Sequence, residues 1–375
     1  MKTVVVLNRL LKHYRIPFYV LLKEHLSQQN IDLKVIHGKA DGAEAFNKDT
    51  GHLDWAVEIS NIKLPFGLYW QPCWRYLAKA DLVIVEQASK FLINYFLMAK
   101  RLFSKQKVAF IGHGLTRVKP KKSINNIFKV AILKNVDWWF AYTQSVAKFI
   151  ISRGFPEKKV TVFQNSIDTK ELIKAKQSLS QEKIDACRRS ISLGNGPVGI
   201  FCGGMYEQKR IRFLLDACKK IKEILPEFEI IFLGGGPDAS LIAKEARENK
   251  WIHHLGPCFG HDRIPYFLLA DIFLMPGLVG LAILDSFALE TPIITTDYLY
   301  HSPEVDYIKD GVNGAIVSGD IDRYVAAVGD ILTDKNKLDK LKAGCRNSAN
   351  KYNIQDMTER FTKGILDCLE GNDDK

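Results

Sequence analysis

Three glycine clusters each follow an apolar, strand-like run in the second half of the sequence: Gly203 and Gly204 after Phe201, Gly234, Gly235 and Gly236 after Leu233, and Gly277 with Gly280 after Leu274. Glycine lets a backbone turn sharply and leaves its amide uncovered, so such clusters at strand ends suit the close approach of a bulky, negatively charged ligand. Lys209, followed by Arg210, stands at the start of a helical pattern after the first cluster, where an ammonium adds a movable positive charge suited to a diphosphate. The third cluster lies in MPGLVGLAILDSFALETP, where Val279 opens an apolar helical pattern and Pro292 stops it before Ile293. The unpaired amides of Leu278, Val279 and their neighbours at such a helix start favour phosphate or sugar oxygens, and Asp285, two turns in, is placed to meet hydroxyls. Each feature has a plainer reading, as a turn of any parallel sheet or as a solvated lysine. The conjunction favours the ligand.

In the first half, His113 lies in IGHGL, directly after a strand-like run and between two glycines, where it can donate to or accept from a sugar hydroxyl or serve only as a turn residue. Asn8, His13 and Arg15 belong to a polar, basic loop after the first strand. Asn165, in FQNSID, is as well suited to bracing a turn through its own backbone bonds. There is no GxxxxGK(S/T), no GxGxxG after the first strand and no GxSxG, which argues against a P-loop NTPase, a Rossmann dehydrogenase and an α/β-hydrolase.

These residues need a parallel sheet to bring them together, and the order of elements supplies one. Strand-like 3–7, helical 16–29 and strand-like 32–36 open the chain as strand, helix, strand. Further strands are expected at 82–85, 108–111, 138–142 and 160–163, with helices at 91–103, 123–134 and 145–152; residues 38–74 carry no clear pattern. A polar stretch, 168–195, reads as a helical connector closing the first domain. A second alternating series then runs from Val198 through strands at 229–233, 251–254, 293–296 and 314–317. At 375 residues the chain accommodates two domains, and ligands of such sheets sit beyond the carboxyl ends of the strands.

Composition narrows the setting. Hydrophobic residues make up 47% and charged residues 25%, as in globular proteins. Seven cysteines, scattered and without a CxxC or a Cys/His cluster, read as free thiols in a reducing compartment. The start lacks the pattern of a signal peptide, and no apolar run reaches the roughly 18 residues of a membrane span. A cytoplasmic protein is expected. The net charge of +11 is concentrated at 90–159, with fifteen Lys and Arg against Asp137 and Glu157. That excess implies a negatively charged partner. No nucleic-acid-binding motif accompanies it, so nucleic acid is not expected. In FLINYFLMAKRLFSKQK, residues 91–107, Phe91, Tyr95, Met98 and Leu102 share a helical face above a basic end, which fits either an interfacial helix on an anionic membrane or a core helix with a solvated end.

Taken together, the order of these motifs resembles glycosyltransferase family 4, retaining sugar-nucleotide transferases. Gly203, Gly204 and Met205 through Lys209 match its G-R-L-x-x-x-K segment, Gly234 to Pro237 its G-x-G-P segment, and Gly277 to Asp285 its E-x7-E segment. EVDYIKDGVNGAIV, from Glu304, matches its closing loop, FQNSID its hinge asparagine, and YNIQDMTERF the final helix that crosses back to the first domain. Three departures stand out: Gly204 replaces an arginine on the diphosphate, Gly277 replaces the first motif glutamate, and Asp285 shortens the second.

The resemblance implies a GT-B fold, two facing doubly wound Rossmann-like α/β domains with an interdomain cleft, at 1–180 and 196–352, with 353–375 returning as a helix. It implies transfer of a sugar from a nucleoside-diphosphate sugar to a saccharide or polyprenyl-diphosphate-linked acceptor, as in surface-polysaccharide assembly of a bacterial type, with no cofactor and no metal. Peripheral attachment at the inner face of a membrane would fit. Lys209, Arg210 and the glycine amides would hold the diphosphate, Asp285 the ribose, Pro257 and Cys258 the base, and His113 the donor sugar. Glu304 would orient the same loop, and Asn8, His13 and Arg15 would meet the acceptor. The alternative is a non-catalytic nucleotide- or glycan-binding relative, which Gly277 invites.

Overall fold

The computed structural model describes residues 1–40, 50–114, 127 and 130–371. The chain forms two compact units, one comprising residues 1–168 with 354–375, the other 169–353.

In the first unit, Val- and Ile-rich runs too short for helices and buried on both faces form parallel strands. These are β1 (Lys2–Asn8), β2 (Ile31–Gly38), β3 (Val57–Ile59), and, after a separate antiparallel hairpin of β4 (Ile62–Leu64) and β5 (Leu68–Trp70), β6 (Leu82–Glu86), β7 (Lys107–Gly112), β8 (Trp138–Ala141) and β9 (Val160–Val162). Their order is β3-β2-β1-β6-β7-β8-β9. Alternate residues serve opposite cores. Val4, Val6, Ile84 and Phe140 face helices Ile16–Gln28 and Ile354–Glu370, while Val5, Val83, Val85, Phe110 and Trp139 face Leu92–Arg101 and Gln144–Ser152. Phe361 of the late helix stacks on Phe140 at 4.1 Å between ring centroids and meets Phe18 and Phe163 edge-on.

The second unit repeats the architecture with β10 (Val198–Cys202), β11 (Glu229–Leu233), β12 (Ile252–Gly256), β13 (Ile272–Leu274), β14 (Ile293–Thr296) and β15 (Gly314–Val317), in the order β12-β11-β10-β13-β14-β15 and parallel throughout. Each sheet reverses direction of growth once, between β1 and β6 and between β10 and β13. Loops leaving such a pair diverge to opposite faces, which opens a crevice at the carboxyl edge.

Several expectations change. The stretch 168–195 forms helices Thr169–Gln177 and Gln181–Ser190, and these pack on Ile264–Leu269 of the second unit instead of closing the first. The third glycine cluster stays a turn as far as Leu281, and the helix is Ala282–Ala288, not one beginning at Val279. The unplaced region near 38–74 holds β3 and the hairpin. The helix expected at 123–134 lies largely outside the described residues. Of the two readings of the face in 91–107, the structure favours the core one, with Phe91 at 2% and Met98 at 8% exposure, whereas Leu102 is 70% exposed.

Candidate functional site

The carboxyl edge of the second sheet is built from the glycine turns, and several of these glycines are needed for packing. Gly203, Gly234 and Gly236 have φ of 148°, 142° and 140°, values that L side chains rarely adopt. A Cβ on Gly234 would strike the Gly203 carbonyl, and one on Gly236 the Met205 carbonyl. At Gly277 a Cβ would lie 2.6 Å from Lys209 Cα and closer still to the Gln208 carbonyl. At Gly234, Gly236 and Gly277 glycine is therefore required so that neighbouring turns can lie against one another.

The same packing consumes amides that sequence reasoning had left for phosphate. The Gly203 N–H donates to Leu233 O at 2.9 Å, Gly234 N–H to Gly256 O at 2.8 Å and Leu278 N–H to Gln208 O at 2.8 Å. The Val279 N–H donates to Nδ1 of His301 at 3.0 Å, whose Nε2–H in turn bonds Thr296 O at 2.8 Å. That assigns His301 the Nε2-protonated tautomer and makes it a clamp on the turn, a role the sequence did not reveal. Ser302 adds a backbone bond to Val279 O. Among the described residues no acceptor meets the amides of Gly235, Gly236, Gly280 or Leu281.

Lys209 is not a movable surface cation. It closes the short turn Glu207–Lys209, is 6% exposed, and its Nζ donates to Leu278 O at 2.5 Å beside the Met275 sulfur at 3.4 Å. Burial pushes its pKa down to about 8. Below that pH the lysine is charged in folded and unfolded chains alike. Between about pH 8 and its ordinary 10.5 only the unfolded chain holds the extra proton, so stability rises with pH across that window. Relative to Lys209→Met, the wild-type protein should gain up to about 3 kcal/mol from pH 8 to 10.5 in chemical denaturation. A difference that is flat with pH would show the amine to be solvated.

Arg210, at φ 56°, turns the other way: its guanidinium donates to Thr296 Oγ1 at 3.0 Å and covers the Phe213 ring at 4.1 Å. Asp285 is 8% exposed and accepts from Arg263 Nη2 at 2.7 Å. Arg263 was missed. It donates also to Gly260 O at 2.9 Å, its Nε is buried with no partner among the described residues, and the Asp285 charge raises its pKa. Burial, reinforced by Asp285, pushes the nearby Cys202 thiol up to about 12. Cys258 is half-buried with its thiol pushed up by burial, and Pro257 lies against Gly235. Glu304 is 2% exposed in the turn Pro303–Tyr307, which follows the clamp.

In the first unit the structure brings Arg15 and His113 together through Tyr142. The Arg15 guanidinium lies 5.7 Å from the Tyr142 ring, whose edge meets the exposed His113 ring at 4.5 Å. Asn8, at the end of β1, accepts from the Tyr19 hydroxyl at 2.9 Å; burial lifts that phenol to about 12 and keeps it a donor. His13 is exposed on the turn His13–Arg15. Glu86, unremarked in the sequence, ends β6 at the switch point, accepts from the Arg9 N–H at 3.1 Å and has its pKa raised by burial.

Comparison with known families decides what these edges belong to. Residues 18–171 match the family model described as Glycosyltransferase Family 4, and residues 196–334 match the one described as Glycosyl transferases group 1. The chain belongs to glycosyltransferase family 4. It is similar to the GDP-mannose-dependent alpha-(1-6)-phosphatidylinositol monomannoside mannosyltransferase of Mycolicibacterium smegmatis, 26% identical over 40% of this chain and 42% of that protein. It is also similar to the alpha-monoglucosyldiacylglycerol synthase of Acholeplasma laidlawii, 26% identical over 41% of this chain and 39% of that one. The matched stretches thus span less than half of either relative.

The fold is GT-B. HepE of Anabaena, solved in complex with UDP, superposes with a TM-score of 0.72 at 14% identity, covering 98% of this chain and all of that one. Sucrose-phosphate synthase of Thermosynechococcus elongatus gives 0.70 at 15% identity over 98% of this chain and 100% of that one. Against the family 4 motifs, the site combines a glycine where the first glutamate is usual with an arginine, Arg263, on the carboxylate that replaces the second. No described helix is long and apolar enough to cross a membrane.

Proposed function

We propose that this family 4 chain moves a hexose-type unit from a nucleoside-diphosphate sugar to an acceptor hydroxyl, with retention at the anomeric carbon. The observation that carries the proposal is the β10/β13 switch point of the second unit, where four amides without an acceptor among the described residues and one buried ammonium lie at the carboxyl edge. Gly235, Gly236, Gly280 and Leu281 amides, with Lys209 behind them, would take up the negative charge that develops on the leaving diphosphate. Asp285, held by Arg263, would meet the ribose, and Pro257 and Cys258 the base. His113 would meet the donor sugar, Glu304 would orient the same loop, and Asn8, His13 and Arg15 would meet the acceptor. Fixed dipoles and cations suffice for this chemistry, so the proposal requires no metal. That HepE was solved with UDP supports a nucleotide donor.

The acceptor is taken to be a lipid-linked saccharide at the cytoplasmic face of a membrane, in surface-polysaccharide assembly. Support comes from the basic first half and from the two relatives whose names specify lipid-borne products or acceptors. A thermal-shift panel of sugar nucleotides should identify one stabilising donor, and calorimetry should show that Lys209→Ala weakens the corresponding nucleotide at least tenfold. Unchanged affinity would remove the diphosphate from this edge. His113→Ala should lower turnover far more than nucleotide affinity, and the reverse split would move His113 away from the sugar. Gly277 favours a second reading, a binding protein without transfer. Slow release of free nucleotide from the stabilising donor separates the two, since a pure binder releases none.

A further inference from the structure

Among the described residues of the first unit, most exposed large hydrophobic side chains fall on the hairpin of β4 and β5, on Trp74 just after it, and on helix Leu92–Arg101 with the residues at its end. The hairpin of β4 and β5 projects Phe66 at its tip, 100% exposed, with φ 61° in the left-handed region that a residue bearing a side chain rarely adopts. Ile62, 44% exposed, is paired across the hairpin with Trp70, and the Trp70 ring meets Phe96 of helix Leu92–Arg101 edge-on at 5.4 Å. Phe96 is 54% exposed, and Phe103, two turns further and 91% exposed, continues the line past the end of the helix with Leu102. Trp74 flanks it beneath the Lys100 ammonium, 5.2 Å from the ring, and Lys90 lies 5.0 Å from the Tyr69 ring. The sequence supplying this face has no acid between residues 59 and 80 or between 87 and 136.

A left-handed phenylalanine held fully in water gains nothing from contacts within this chain. Strain and exposed apolar surface together mark a binding feature. Aromatic tips beside the Lys90 and Lys100 ammonium groups, with Asp137 at the helix end paired to Arg101 at 2.6 Å, match the headgroup and acyl boundary of a bilayer.

We infer that hairpin 62–70 and the end of helix Leu92–Arg101 form a docking face for an anionic lipid bilayer, with Phe66 and Phe103 as the inserted side chains. This rests on the reading of a membrane-borne acceptor, and it replaces the helix face of Phe91, Tyr95 and Met98, which the core occupies, with the hairpin as the anchoring element.

Flotation of the full chain with phosphatidylcholine vesicles, with and without phosphatidylglycerol, tests it. Binding should require the anionic lipid and weaken with salt, by about fivefold for each charge removed in Lys100→Gln and Lys105→Gln. Phe66→Ser should lower partitioning about tenfold, and Phe66→Ser with Phe103→Ser should abolish it, with the melting temperature and nucleotide affinity unchanged. Variants that float like the wild type, binding equal on neutral vesicles, or loss of the patch through self-association of the chain would each overturn the inference. Absent flotation with intact nucleotide binding would sink the docking face and leave the transferase reading standing. Flotation without any nucleotide binding would do the opposite.

Discussion

Gly277→Glu, which restores the glutamate usual in this family, should damage the protein rather than improve it. Any Cβ at this position meets the backbone of Gln208 and Lys209, which cannot withdraw without dragging Lys209 from beneath Leu278. Overpacking against side chains costs about 1–3 kcal/mol, and backbone yields less readily. A loss of about 3 kcal/mol would lower the melting temperature of a unit this size by about 6–12 °C. Nucleotide affinity should fall at least tenfold, because the turn carrying the Gly280 amide is displaced. Gly280→Ala is the control: its Cβ would meet Ser302 Oγ at 3.5 Å, an ordinary contact, and should be nearly neutral. A Gly277→Glu protein that melts like the wild type and turns over faster would show that space does not fix this glycine.

The second large effect is expected at Arg263 and Asp285, whose side chains are 18% and 12% exposed. Removing either partner of a pair this well buried strands a charge and typically costs about 3–5 kcal/mol. Asp285→Ala and Arg263→Ala should each approach that range in urea denaturation, with a coupling energy above about 1 kcal/mol in the double-mutant cycle. Replacing both by apolar residues, Arg263→Met with Asp285→Leu, should recover most of the stability but not the nucleotide affinity. Recovery of both would reduce the pair to a structural prop. Additive single effects would show that the 2.7 Å bond is not formed in solution.

Much of the architecture was legible because it depends on local pattern. Buried parallel strands announce themselves as short Val and Ile runs, and those at 198–201, 229–233 and 293–296 could be read directly. The glycine clusters were equally plain, yet their purpose was not. That Gly277 touches Lys209 is a fact about two segments far apart in sequence, and no periodicity encodes it. Arg263 was missed for the same reason: nothing in PCFGHDR distinguishes an arginine folded back onto Asp285 from a solvated one. Lys209 shows the converse, since its type and position suggested a mobile cation while its partners hold it inside. The helix at 92–101 marks a limit of amphipathicity. Its apolar stripe showed which face avoids water, but only the packing of Phe91 and Met98 shows that the stripe meets protein.

The late helix Ile354–Glu370 has a consequence for biogenesis. Residues 169–353 leave the ribosome as an unbroken run and can fold as soon as they emerge, but Phe361 and Ile365 reach Phe18, Phe140 and Phe163 only afterwards. At roughly 5–20 residues per second, one side of the earlier sheet waits about ten seconds or more for its cover. The later-made unit should therefore mature first, and the nascent amino-terminal sheet is the stretch that most needs chaperone protection during translation.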